Sequence, residues 1–401
     1  MDQTTPAGDR PDLQPVLQAA MRLVEANGLR GLSLRPLAEH LGLTVSALSH
    51  RFGLKDELVG ALIEAAVAQD VAFLDRWLDH ITAMQVRHGA LMAEVADAIL
   101  SDLAGPEGLR TRFYCELLQG AATRPELAPA VAAWSARRLA FWRAACAGLG
   151  PAAQHAPDLG QVLHAFSIGE AAYGLAIGDL AAYRWLRRLN LRRLCCGLIP
   201  ADNTEDLRQY DVFRAALSER EPSGGWTPTA WQAKVAGHIS ALIIAEGADA
   251  VTHRAIAARA GLANSTLAYH FPRQEDLLRA GMADVSDRVR RVAAPGPGEA
   301  SPEYQLTSIE TARATFALAL VVGRLPELKA ATADLRRRRG ENYVGYIARE
   351  RGAAAIDVVS AQAVSVTGTG RLILEATLDP AGNQAAFQLT DHMVATALAR
   401  G

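Results

Sequence analysis

Long apolar runs are missing from this chain. The longest, near Phe316–Val322, falls far short of the ~20 residues that cross a bilayer, so no membrane span is expected. The opening MDQTTPAGDR lacks the basic-then-apolar pattern of a secretory leader, and the expected location is the cytoplasm. Cysteine is scarce: four in 401 residues suggest no disulfide framework. Two of them are the neighbours Cys195 and Cys196. Adjacent cysteines rarely close a strain-free bridge, and no zinc-type His/Cys spacing lies nearby, so they are expected to be buried thiols. There is no excess of positive charge. A formal net charge of −2 excludes a basic nucleic-acid coat, and any DNA contact must come from a local patch. A nucleotide-binding glycine loop, His-Glu-x-x-His and Gly-x-Ser-x-Gly are all absent, which argues against an enzyme and against a cofactor. β-branched runs with alternating polarity are also scarce. With alanine abundant, the chain reads as all-α.

What is present is a repeat. Gly42–Phe52, GLTVSALSHRF, returns as Gly261–Phe271, GLANSTLAYHF. The offset is 261 − 42 = 219, and it also links Gly28 to Gly247, Leu37 to Ile256 and Leu48 to Leu267. A gap-free offset means two copies of one module. Each copy reads as a helix-turn-helix: Gly28 and Gly42 permit the turns, and Ser33, Thr44 and Thr252 are candidate N-caps. The echo continues downstream at a shorter offset. Pro125 matches Pro326 and Arg137-Arg138 match Arg338-Arg339 at 201, while Asp179 matches Asp379 at 200. The shrinkage predicts that the second half lacks about one helix of the first.

Proline and glycine punctuation then gives the expected organisation. Residues 1–11 form a tail and 12–58 the first helix-turn-helix domain. A helical body follows over 59–200, then a linker over 201–228 whose clearest stretch is Glu221–Pro228. The second helix-turn-helix covers 229–278 and a second body 279–401, interrupted by a loop at Ala294–Gly298. Leu207, Val212, Phe213 and Leu217 are possible helical contacts within the linker. Gly169, Gly174 and Gly178, together with Gly368 and Gly370, make small-residue helices suited to close approach between the halves, or to packing within each. Arg336–Arg339, with Asp334, Glu341 and Glu350 near enough to pair, is expected to be a solvated face.

The residues Gly28, Leu37-Ala38, Gly42-Leu43-Thr44, Leu48, Phe52 and Lys55-Asp56-Glu57-Leu58 resemble the DNA-binding signature of the TetR family of bacterial transcriptional repressors. So do Gly247, Ile256-Ala257, Ala260-Gly261-Leu262, Thr266-Leu267, His270-Phe271-Pro272 and Glu275-Asp276-Leu277-Leu278. The signature covers about fifty residues in each half. Departures are Ser49 and Ala268 for the family's Tyr, Arg51 for its His, and Gln274 for its Lys.

The resemblance implies two TetR-like halves packed as an intramolecular pseudo-dimer, acting as a monomer or pairing as a homodimer of tandem chains. It implies a double-stranded DNA operator as partner and repression as outcome. Thr44, Val45, Ser46, Ser49 and His50, and in the second copy Asn264, Ser265, Thr266, Ala268 and Tyr269, would face the major groove. Arg35, Arg51 and Lys55, with Arg254, His270 and Arg273, would face phosphates. Because the two reading segments differ, the operator would have two unlike half-sites. The family's bodies hold a small effector among their helices. The aromatic-rich first body suggests a pocket for an apolar or aromatic effector at Trp77, Phe113, Tyr114, Trp134, Phe141, Phe166 and Tyr173, although aromatics at helical spacing also make ordinary core. Rival readings are a regulator in which only one head binds DNA, a DNA-free scaffold and, last, an enzyme.

Overall fold

The computed structural model describes residues 13–150, 158–198, 205–218, 228–293, 302–351, 356–378 and 385–398. The tail at 1–11, the loop at Ala294–Gly298 and the linker segment 221–227 lie outside the described residues. Among the described residues there are helices and no strands. The first head comprises α1 (Gln14–Asn27), α2 (Leu34–His40) and α3 (Val45–Phe52). The first body comprises α4 (Lys55–Ala83), α5 (Gly89–Ala104), α6 (Gly108–Ala121), α7 (Ala128–Cys146), α8 (Leu159–Ile177) and α9 (Ala181–Cys196). Helix α10 (Glu205–Leu217) then lies within the expected linker. The second head comprises α11 (Ala230–Glu246), α12 (His253–Ala260) and α13 (Asn264–His270). The second body comprises α14 (Gln274–Ala293), α15 (Pro302–Val321), α16 (Lys329–Arg351), α17 (Val358–Leu378) and α18 (Ala385–Leu398).

The change of offset now has a structural cause. Helices α6, α7, α8 and α9 correspond to α15, α16, α17 and α18. Helix α5 has no counterpart, because α14 is followed by α15 among the described elements. Helix α5 packs on α8 and α9, and Asp97 ties it there. Arg187 of α9 donates to the Asp97 carboxylate at 2.8 Å and to Ser101 Oγ at 2.7 Å.

The halves meet where α8 crosses α17. A Cβ placed on Gly169 would run into the carbonyl oxygen of Val366, and one on Gly370 into that of Ala165. Adding 201 converts 169 into 370 and 165 into 366, so each contact is the other's image. That exchange is the mark of an isologous, two-fold interface, here made within one chain. The other glycines of the stripe do different work. Gly174 faces Ala104 and Tyr183, and Gly368 faces Thr390.

Around this crossing the seam is polar and buried. Arg336 of α16 reaches across to Glu170 of α8 and donates to Asn190 Oδ1 at 2.9 Å. Tyr183 donates to the same Glu170 carboxylate at 2.9 Å. Asn190 donates to the Val359 carbonyl at 3.2 Å, and Arg193 pairs with Asp357 at 2.8 Å. The expected solvated face at Arg336–Arg339 is therefore corrected. Arg336 and Arg337 are buried, because the second half lays this helix against the first rather than against water. Arg337 and Arg338 do pair with Asp334, and Arg337 also with Glu341. Arg339 donates to Thr369 at 2.6 Å and to Tyr173 at 3.3 Å. Of the adjacent cysteines only Cys195 is buried, and Cys196 is exposed. On α10, Tyr210 and Leu217 are the buried residues, Val212 is exposed, and Phe213 stacks on Trp185.

Within the first body, Asp70 of α4 is wholly buried. It accepts from Arg138 at 2.8 and 2.9 Å, from Arg110 at 3.1 Å and from Trp134 Nε1 at 2.7 Å. Burial alone would raise this carboxyl. The two guanidiniums and the indole N–H outweigh it and hold Asp70 below its ordinary range. His164 of α8 is also buried. Desolvation first, then Arg138, Arg371 and Arg143, push it down to about 3.

Two outcomes follow. Alanine at Gly169 or Gly370 gains up to ~1 kcal/mol of helix propensity but must force the two helix backbones apart. We expect a net loss of ~1–3 kcal/mol in urea melts, as for an overpacked core. Gly60→Ala, with open space at its Cβ, should be neutral or better, and equal stability of all three would rule out the close crossing. The neutral His164 favours the folded state fully above its ordinary pKa of ~6.5, and that contribution fades as pH falls towards the folded value. Melting temperature should therefore drop between neutral pH and pH ~4, and His164→Gln should flatten the drop. An unchanged slope would clear His164 of the effect.

Candidate nucleic-acid interface

The two heads are built by the same local rules. In the first, Gly28 at φ 65° ends α1 and Gly42 at φ 67° makes the turn. In the second, Gly247 at φ 86° and Gly261 at φ 67° repeat these turns. Thr44 caps α3 by accepting from the Ala47 N–H at 3.1 Å, and Thr252 caps α12 by accepting from Ala255 at 3.1 Å. Ser33 stands at the N-cap position of α2 without a side-chain bond. Helix α4 starts where Glu57 accepts from the Leu54 N–H at 2.8 Å, and α14 starts where Asp276 accepts from Arg273 N at 2.9 Å. Leu48 and Leu267 are fully buried. Each anchors its short helix to the head and turns the rest of that helix outward.

On α3, Val45, Ser46, His50 and Arg51 are exposed, as is Thr44, while Ser49 is half-buried. On α13, Asn264, Ser265, Thr266, Tyr269 and His270 are exposed, and Ala268 is half-buried. Tyr269 is 81% exposed and Val45 40%, large apolar surface to leave in water on helices this short. Shifted by 219, the outward residues of α3 and α13 coincide only at Ser46 and Ser265.

The expected cations divide into free and engaged. Arg51 lies over the Phe52 ring, 5.4 Å from its centroid, and has no acidic partner among the described residues. Lys55 and Arg254 are exposed and form no ion pair among the described residues. Arg35 is bound to Glu39 at 3.0 Å. Arg273 is held by Glu275 and Asp276. His270 packs on Trp231 with ring centroids 4.5 Å apart. Gln274 stands where the first head has Lys55. Its amide donates to the Val251 carbonyl at 2.8 Å, so this position serves the head's interior. Sequence reasoning passed over Arg259, an exposed cation of α12, because its counterpart at offset 219 is His40.

The heads touch each other at their rear. Arg30 pairs with Glu246 at 2.8 Å. Arg324 of the second body joins Glu116 at 3.1 Å to Asp249, and a Cβ on Gly28 would run into the Asp249 carboxylate. Arg112 of α6 donates to the Leu320 carbonyl at 2.7 Å. The spacing of the reading helices is thus tied to the contact of α6 with α15.

The proposed effector residues fare differently from one another. Phe113, Tyr114, Trp134, Phe141, Phe166 and Tyr173 are buried. Tyr114 tilts against Trp134 at 5.0 Å, and Arg138 covers the Tyr114 face at 4.2 Å. Trp77 is half-buried, donates to Asp102 at 3.2 Å, and lines a surface cleft of about 240 Å³ with Phe73 and His80.

Structural and surface roles separate cleanly. Leu267→Ala should cost ~2–5 kcal/mol in denaturant melts, as in other cores. Tyr269→Ala should leave stability within ~0.5 kcal/mol. A large loss for Tyr269→Ala would mean that the residue supports the head instead of facing outward.

Residues 16–62 and 239–280 match the family model described as bacterial regulatory proteins, tetR family. No curated protein matches the chain. With the DNA-binding module matched once in each head, the chain is a tandem member of the tetR family of bacterial regulatory proteins.

Proposed function

We propose that the chain represses transcription by gripping an operator of two unlike half-sites, one per head, and lets go when an effector binds. The observation that carries this is the pairing of a two-fold seam with two different reading faces. A homodimer presents the same residues twice and selects a palindrome. Here Val45, His50 and Arg51 stand opposite Asn264, Tyr269 and His270. Asn264 suits adenine, and Val45 suits a thymine methyl. The functional division is 12–58 and 229–278 for reading, with 59–200 and 279–401 for sensing and pairing.

Helix α4 is the connection between sensing and reading. It carries the first head at its start and the buried Asp70 cluster in its middle. An apolar or aromatic effector in the first body would reach the packed rings of Phe113, Tyr114, Trp134, Phe141, Phe166 and Tyr173 from the cleft at Trp77. Separating those rings would loosen the grip of Arg138 on Asp70 and shift α4.

A second reading has a specific observation in its favour. In the second head Arg273 is engaged by acids and Gln274 by the backbone, leaving fewer free cations for phosphate. That head would then be a packing module.

Footprinting on the chain's own upstream DNA is expected to show two protected segments roughly one turn, ~34–36 Å, apart and of different sequence. Arg51→Ala and Arg254→Ala should each weaken binding and lower the salt slope by ~1. If Arg254→Ala changes nothing while Arg51→Ala abolishes binding, the one-head reading stands. A strict palindrome bound by a single chain would overturn the unlike half-sites.

A further inference from the structure

Between the two heads lies a cleft of about 190 Å³. Its walls come from both halves, from the end of the first head and α6 on one side and from the second head and α15 on the other. Three carboxylates line it, and two guanidiniums already serve them. Arg30 pairs with Glu246, and Arg324 pairs with both Glu116 and Asp249. Two further guanidiniums line the same cleft, Arg124 from the first half and Arg313 from the second. Among the described residues neither forms a salt bridge, although the Glu310 charge acts on Arg313. Arg313 Nη2 is buried with no acceptor at all, and desolvation lowers the pKa of this side chain. A buried, unpaired N–H of a cation is expensive, and proteins keep one chiefly where something else supplies the acceptor. Leu29, Ala317 and Leu320, all buried, give the cleft an apolar wall beside the polar Gln119 and Thr123.

We propose that this cleft binds a small organic acid, with Arg124 and Arg313 taking its carboxylate and Leu29, Ala317 and Leu320 its apolar portion. Guanidinium is the side chain best suited to a carboxylate, through paired N–H donors. The site exists only where the halves meet, so the acid bridges them. It sits beside the Arg30–Glu246 and Arg324–Asp249 pairs that hold the heads together. An occupied cleft therefore fixes the heads at their present spacing, and an empty one leaves two cations to push them apart. The site is separate from the cleft at Trp77. Its regulatory role rests on the DNA-binding function proposed above, but its existence does not.

The test titrates the full chain, without DNA, with benzoate, benzamide and inorganic phosphate, following heat and melting temperature. Benzoate should bind once per chain and raise the melting temperature. Benzamide, which lacks the charge, and phosphate, which lacks the apolar portion, should bind at least roughly tenfold more weakly. Arg313→Met and Arg124→Met each keep an apolar stem and should each weaken benzoate roughly tenfold, while Arg208→Met on α10 should not. Melts of each variant without ligand establish that it folds, and either arginine variant alone suffices. No benzoate binding, benzoate bound by both variants as tightly as by the unaltered chain, or phosphate binding as tight as benzoate would overturn the assignment. So would weaker DNA binding by Arg313→Met in the absence of benzoate, since the cleft would then be taking a DNA phosphate. A chain that binds benzoate but no operator would sink the regulatory function and leave the site intact.

Discussion

Where the two halves cross, their backbones come close enough to forbid a side chain. At Gly169 and Gly370, helices α8 and α17 cross with each glycine set against a carbonyl of the other helix. Everything else in the pseudo-dimer is placed by that crossing. Its reciprocity means the halves are related by a two-fold rotation, even though most paired positions differ. Once the rotation is set, α6 must meet α15, and the heads that ride on these bodies must lie side by side. Close approach also maximises packing, because a crossing without side chains brings many flanking atoms within van der Waals reach.

The surrounding seam is unusually charged for a core. Glu170, Arg336, Arg193 and Asp357 are all buried at the contact between halves. Such pairs recover little more than their desolvation cost, so their contribution to stability is small. Their contribution to discrimination is larger. By the offset of 201, Ser135 stands where Arg336 does and Arg371 where Glu170 does, so a second copy of either half in place of its partner would leave Glu170 or Arg336 without its opposite charge. The same logic explains why duplication tolerates divergence. The glycine crossing preserves the geometry, and the charges around it assign each half its own side.

Asymmetry elsewhere follows from this division of labour. Helix α5 and its Asp97–Arg187 anchor belong to the first body alone, as does the Asp70 cluster that fastens α4. The second head, in turn, has lost a free lysine to Gln274 and spends Arg273 on its own helix start. A homodimer cannot assign such differences to one side. Fusion removes that restriction, because each half is now a separate stretch of one gene product and drifts under its own constraints. The reading faces, alike only at Ser46 and Ser265 in their outward positions, show how far the drift has gone.

The duplication, the helix-turn-helix geometry and the missing helix are legible in the residues themselves. They rest on local rules: glycine at positive φ, threonine at the N-cap, leucine at the buried position of a short helix. Such rules operate within a few residues and survive in any sequence that obeys them. The shift of offset from 219 to 201 is likewise a matter of counting. Which of five glycines would touch the other half was not legible, since Gly174 and Gly368 obey the same small-residue preference yet face their own bodies. Nor was the fate of charge. Arg336 looks like any solvated arginine until another half covers it. Burial and pairing depend on residues some 166 positions away, as in Arg336 with Glu170. No local pattern encodes that neighbour. The chain's own residues therefore determined what kinds of element it would form, and only the packing of one half on the other decided which side chains those elements could still offer to a ligand.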